Sequence, residues 1–155
     1  MRLWGQIMGK AQLNGAMKKL AGADMDPIEK ALFMSAYRIH RDAVNSIQKG
    51  GRSGRIYSRG RIKHQASAPG EAPKTDTGRL VQSIYVKIEE TKHDVRSASV
   101  GTDLVYGRDL EFGTKNMKSR PWLYPAYERN KSANLDAIKA AIAKLIEDTA
   151  KKGSR

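Results

Sequence analysis

Apolar spacing divides the chain into helical ends, a strand pair and a polar stretch between them. Over residues 27–49, Ile28, Leu32, Ala36, Ile39, Ala43 and Ile47 recur at intervals of three or four, predicting a helix of about six turns. Asp26 stands where an N-cap belongs, Pro27 suits the first helical position, and Gly50 and Gly51 end the pattern. From 84 the period changes to two. Ile84, Val86 and Ile88 alternate with Tyr85, Lys87 and Glu89, and Arg96, Ala98 and Val100 alternate with Val95, Ser97 and Ser99. Two half-buried strands joined by a turn at 91–94 predict an antiparallel hairpin. Leu135, Ile138, Ile142, Leu145 and Thr149 restore helical spacing and predict a last helix over 126–151.

Weaker patterns fill the remainder. Leu3, Trp4, Ile7, Met8, Ala11, Met17 and Leu20 approximate helical spacing across 2–21, interrupted by Gly5, Gly9 and Gly15. Thr77 to Ser83 reads as a short helical turn capped by Asp76 or Thr77, and Leu104 to Phe112 as a short helix or turn leading to Gly113, a candidate for positive φ. Residues 50–76 show no period and little apolar content, which predicts a long loop, disordered alone and ordered on assembly. The fold class that follows is α+β: a small antiparallel sheet packed with a long helix from each half of the chain, plus the basic loop. The expected organisation is a helical extension, 1–25, on one domain, 26–155.

Charge sharpens this picture. The 155 residues carry 29 Lys and Arg against 16 Asp and Glu, a formal charge of +13. The excess is uneven. Arg52, Arg55, Arg59, Arg61 and Lys63 fall within the polar loop with no carboxylate among them. Such a cluster is either a solvated loop or a surface that meets DNA or another polyanion through phosphates, without reading sequence. A single aromatic, Tyr57, argues against base stacking as the main contact.

Candidate chemistry is sparse. The absence of cysteine removes disulfides and thiolate chemistry. His40, His64 and His93 share no ligand spacing, and the glycines form no phosphate-cradling motif. Asp109 and Glu111 could make a carboxylate pair, but no convergent acid, base and nucleophile accompanies them. An enzyme, a cofactor and a metal site are therefore not expected. No apolar run approaches a membrane span, and the first residues do not read as a secretory signal. Glu111 suits either an arginine partner at a subunit seam or an ordinary solvated or capping role. Trp122 to Tyr127 suits either a core cluster or an aromatic interface patch, with Arg120 able to pair across such a seam.

Four short signatures stand in order: Ser67-Ala-Pro-Gly-Glu-Ala-Pro73, Thr77-Gly-Arg-Leu80 with Ser83 and Ile84, Tyr106 with Glu111-Phe-Gly-Thr114, and Arg120-Pro-Trp-Leu-Tyr-Pro-Ala126. Together they resemble the tail-completion, or head–tail joining, neck proteins of long-tailed bacteriophages and prophages. The resemblance covers most of residues 27–150. It implies a non-catalytic virion protein, assembled in the bacterial cytoplasm, that forms a ring around the DNA passage, a hexamer by preference. Its implied neighbours are a head-completion (stopper) protein and a tail-terminator or tail-tube protein, with double-stranded DNA passing through. On this reading Arg52, Arg55, Arg59, Arg61 and Lys63 face the polyanion, and Glu111, Phe112, Arg120, Trp122, Tyr124 and Tyr127 lie near the subunit seam. The rival reading is a stand-alone, sequence-nonspecific nucleic-acid-binding protein.

Overall fold

The computed structural model describes residues 27–90 and 96–153. The helix expected over 2–21, the Asp26 cap and the turn at 91–94 lie outside them. The elements are α1 (Pro27–Lys49), β1 (Ile56–Arg59), β2 (Ile62–Gln65), α2 (Arg79–Ser83), β3 (Ile84–Glu90), β4 (Arg96–Thr102), α3 (Val105–Phe112) and α4 (Tyr124–Gly153). This is the expected α+β class: helices with two small antiparallel sheets, β1–β2 and β3–β4.

The β3–β4 register pairs Ile84 with Thr102, Val86 with Val100 and Ile88 with Ala98. Alternation puts Ile84 and Val86 on the inner face, where α1 covers them. One core cluster joins Ala43 and Ile47 of α1 to Leu80, Ile84, Trp122 and Ala126; a second joins Phe33 and Ala36 to Val86. Within α1, Phe33 stacks on Tyr37 at 6.3 Å and Tyr37 on His40 at 6.1 Å.

α4 packs chiefly along α1, and their side-chain bonds show that the two helices run antiparallel. Asp42 Oδ2 accepts from Arg129 Nε at 2.9 Å and from Asn130 Nδ2 at 3.0 Å. The buried Asn134 donates to the Ser35 carbonyl at 3.2 Å, and Arg38 donates to Asn134 Oδ1 at 3.2 Å. α1 therefore sits between the sheet and α4. That arrangement revises the predicted stripe. Phe33, outside it, is the most buried large residue of the N-terminal half of α1, while Leu32 and Ile39 remain half-buried. A helix covered on two sides buries two adjoining faces, and a single stripe captures only their overlap.

Two local expectations change. The turn at 79–83 takes Gly78 as its N-cap, with no side-chain cap bond; neither Asp76 nor Thr77 fills the position. The final helix starts at Tyr124, two residues early, for a reason found in the site itself. Gly113 does adopt φ +79, and a Cβ there would fall 2.8 Å from the Met117 carbonyl oxygen, so only glycine fits without rearrangement.

Candidate functional site

Three features outside the core are candidates: an arm, a latch and a groove. The arm corrects the patternless loop expected over 50–76. Residues 56–65 form a hairpin in which Ile56 pairs with Gln65, Tyr57 with His64, Ser58 with Lys63 and Arg59 with Ile62. Gly60, at φ +61, makes the tight turn with Arg61. Tyr57, Ile62 and His64 share one face, and the Tyr57 and His64 rings lie 5.2 Å apart. The signal was a four-residue alternation on each side of a glycine, too short to stand out among serines and cations.

The hairpin projects from the body. Ile56 is 61% exposed and Ile62 67%, and Tyr57 is also exposed. Arg52, Arg55, Arg61 and Lys63 are exposed with them, and Arg59 ends β1. Among the described residues no carboxylate pairs with Arg52, Arg55, Arg61 or Lys63. The surface is thus cationic and apolar at once.

The arm's base is pinned by the first signature. Glu71 accepts from Ser53 Oγ at 2.5 Å and from the Ala68 N–H at 2.8 Å, tying the approach to β1 to the exit from β2. These bonds, the Ser53 hydroxyl first, hold the Glu71 carboxyl below its usual range. Gly54 donates to the Ala66 carbonyl at 3.1 Å, and Gly51 donates to the Ala72 carbonyl at 3.0 Å.

The latch is made by the other signatures. Glu111, on α3, accepts from the backbone N–H of Trp122 at 2.7 Å, Leu123 at 2.9 Å and Tyr124 at 2.8 Å. A helix start leaves backbone donors unsatisfied and carries partial positive charge, so a carboxylate there meets both needs. This is why α4 begins at Tyr124. Trp122 Nε1 donates to the Gly107 carbonyl at 3.0 Å, with the ring 2% exposed. Arg120 Nε donates to the Ser67 carbonyl at 3.1 Å, and Gly70 N donates to the Ser119 carbonyl at 2.9 Å. The Ser83 and Thr102 hydroxyls lie 2.6 Å apart.

The six residues expected near a seam therefore separate. Glu111 and Trp122 are buried and bonded within the subunit, Glu111 in its capping role and Trp122 in the core, so neither offers a surface to a neighbour. Arg120 is half-buried and engaged by Ser67. Phe112 is 78% exposed and Tyr124 62%, with Tyr127 also exposed. The Tyr124 and Tyr127 rings lie 6.4 Å apart, and Lys131 Nζ is 5.8 Å from the Tyr127 ring.

Those aromatics edge the third feature, an open apolar groove of about 720 Å³. Its floor is the α1 face at Leu32, Ser35 and Ile39; its walls are α4, through Leu135 and Ile138, and β4, through Ala98 and Val100. The Ser35 hydroxyl is buried in that floor with no hydrogen-bond partner. Sequence reasoning missed the groove because its walls come from segments far apart in the chain.

Among the described residues no group of three or more His, Cys, Asp or Glu could hold a metal ion, and no helix is long and apolar enough to cross a membrane. His40 is held below its ordinary pKa of 6.5 by burial, opposed by a backbone hydrogen bond at Ile84, and it faces the core. No family model, curated protein or solved structure matches the chain.

Proposed function

We propose that this protein is a structural subunit of a phage-like particle, a neck component that assembles into a ring joining tail to head around the DNA passage. The observation that carries the reading is the arm. A lone two-stranded hairpin is marginal in water, yet this one holds Ile56, Tyr57 and Ile62 in the open, and Glu71 clasps its base. An element of that kind is completed by a neighbour. Apolar residues dock on an adjoining subunit or ring, while the surrounding cations meet phosphates of DNA in the lumen.

Phe112 and Tyr124 supply a second exposed patch on the body, of the residue type that anchors interfaces. The order of the signatures adds support, because side chains of three of them hold one another in place: Glu111 to Trp122–Tyr124, and Arg120 to Ser67. Sixfold symmetry is the stoichiometry the resemblance favours, with a head-completion (stopper) protein and a tail-terminator or tail-tube protein as neighbouring layers.

A stand-alone nucleic-acid-binding protein is the second reading, favoured by the exposed cations Arg52, Arg55, Arg61 and Lys63. Native mass spectrometry and negative-stain microscopy of the purified protein and of particles separate the two. Rings, or density at the neck, uphold the first. A monomer that binds DNA at low salt and is missing from particles upholds the second.

A further inference from the structure

We infer that the groove between α1, α4 and β4 receives the arm of a second copy of this chain, with an arm strand adding to the open edge of β4. The inference rests on the proposed self-assembly and names its contact.

Insert and receptacle stand at opposite ends of one helix. The arm leaves the body after Lys49, whereas the groove floor spans Leu32 to Ile39, about 15 Å back along α1. No residue of 50–76 lines the groove, and Ile56, Tyr57 and Ile62 stay exposed, so the arm does not fill the groove of its own subunit. Two different patches that fit each other give a head-to-tail contact, which closes into a ring when the rotation between copies allows it.

Backbone and side chains both match. β4 lines the groove and β3 does not, so the edge of β4 that β3 leaves open faces it. Among the described residues β4 pairs with β3 alone. Ser97 to Thr102 carry neither charge nor proline, the usual guards of a bare edge. The arm is itself a two-stranded sheet with two outer edges. Its four-residue strands span about 13 Å, and the seven residues of β4 offer about 20 Å. Strand addition satisfies main-chain groups on both sides. It also brings the arm face that holds Tyr57 and Ile62 onto apolar walls at Leu135 and Ile138.

Charge agrees. Each cation lining the groove has a carboxylate beside it: Arg108 has Asp109 at 4.0 Å, and Lys131 has Glu128 at 3.7 Å. Both pairs reach solvent and are weak, so their carboxylates can be shared with the exposed Arg61 and Lys63 of the incoming arm. Arg52 and Arg55, at the arm's base, remain for phosphates. The arm residues 56–65 are about half of what one side of a stable interface takes. A single contact is therefore weak. Phe112 and Tyr124 at the groove's edge extend it, and ring closure holds the arms in place.

The absence of native cysteine makes cross-linking specific. Full-length chains carrying Ile62→Cys are mixed with chains carrying Leu135→Cys or Phe112→Cys and oxidised. Ala140→Cys, on the exposed far side of α4, is the control partner. At least one groove site is expected to link to Ile62→Cys in a yield about tenfold or more above the control. A double variant, Ile62→Cys with Leu135→Cys, should give ladders of linked chains. Equal yields at groove and control sites, or a link only within one chain, would overturn the inference. Native mass spectra of the parent protein report rings separately. Rings without the preferred link would overturn the contact and leave the ring reading standing. The preferred link without rings would uphold the contact and end the ring reading, and monomers without the link would end both.

Discussion

The carboxylate of Glu111 and the backbone of Trp122 meet at 2.7 Å, and through that bond the short helix α3 fixes where the long helix α4 begins. The same side chain takes the next two N–H groups, and Pro125 has none to offer, so the first turn of α4 rests largely on one residue. The Trp122 indole returns the link by donating to Gly107 within α3.

Replacing Glu111 by Ala should destabilise the fold by about 2–4 kcal/mol, since three backbone donors, that of Trp122 buried, lose a charged acceptor at a helix start. Glu111→Gln should lose less, because one amide oxygen still accepts. Urea unfolding followed by circular dichroism checks both. If Glu111 instead served an arginine of a neighbouring subunit, the isolated subunit would keep its midpoint and only assembly would suffer.

Trp122→Phe removes the bond to Gly107 and part of the core's volume, with an expected cost of about 1–3 kcal/mol. The denaturation midpoint should shift while the exposed Phe112 and Tyr124 are untouched, so any rings should persist below the new midpoint.

The five arm cations, changed together to Ser, should leave the unfolding midpoint within about 0.5 kcal/mol of the parent, as expected for surface substitutions. They should weaken any DNA binding sharply at low salt and flatten its salt dependence by a slope of about 4–5 per subunit. Fluorescence anisotropy with duplexes of unrelated sequence measures both quantities. Unchanged affinity, salt slope and particle yield would remove the charge of the arm from the function.

Glu71→Ala should loosen the arm without unfolding the body. Trypsin cleavage at Arg55 and Arg61 is expected to accelerate, and hydrogen exchange should rise at Gly54 and Ala66, whose N–H groups close the arm's base. A cleavage rate equal to the parent's would show that the backbone bonds suffice.

Acid should act through His40. Its pKa is lowered by folding, so the folded chain resists a proton that the unfolded chain accepts. Above pH 6.5 both states are neutral and the group exacts no penalty. As pH falls from 6.5 through the depressed folded value, stability declines by up to about 1.4 kcal/mol per pH unit. Urea midpoints at pH 7.5 and 5.5 should differ, and His40→Gln should shrink the difference. Glu71, also depressed, contributes only at lower pH, below its ordinary 4.5.

The amino-acid order by itself determined the elements whose pattern is long or strictly alternating: α1, the β3–β4 pair with Ile84 and Val86 inward, the positive φ of Gly113 and the body of α4. Local physics suffices there, because burial of one face and the steric limits of the backbone both act within a few residues. The tertiary structure alone decided which face of α1 meets the sheet, that Glu111 belongs to the first turn of α4, that Arg120 holds Ser67, and that Arg59, Arg61 and Lys63 belong to a projecting hairpin. The first three depend on partners at least 11 residues away and the fourth on a hairpin whose local signal is weak, and charge or aromatic type is the same whether a side chain ends inside the subunit or on its surface. Only packing chooses between those outcomes.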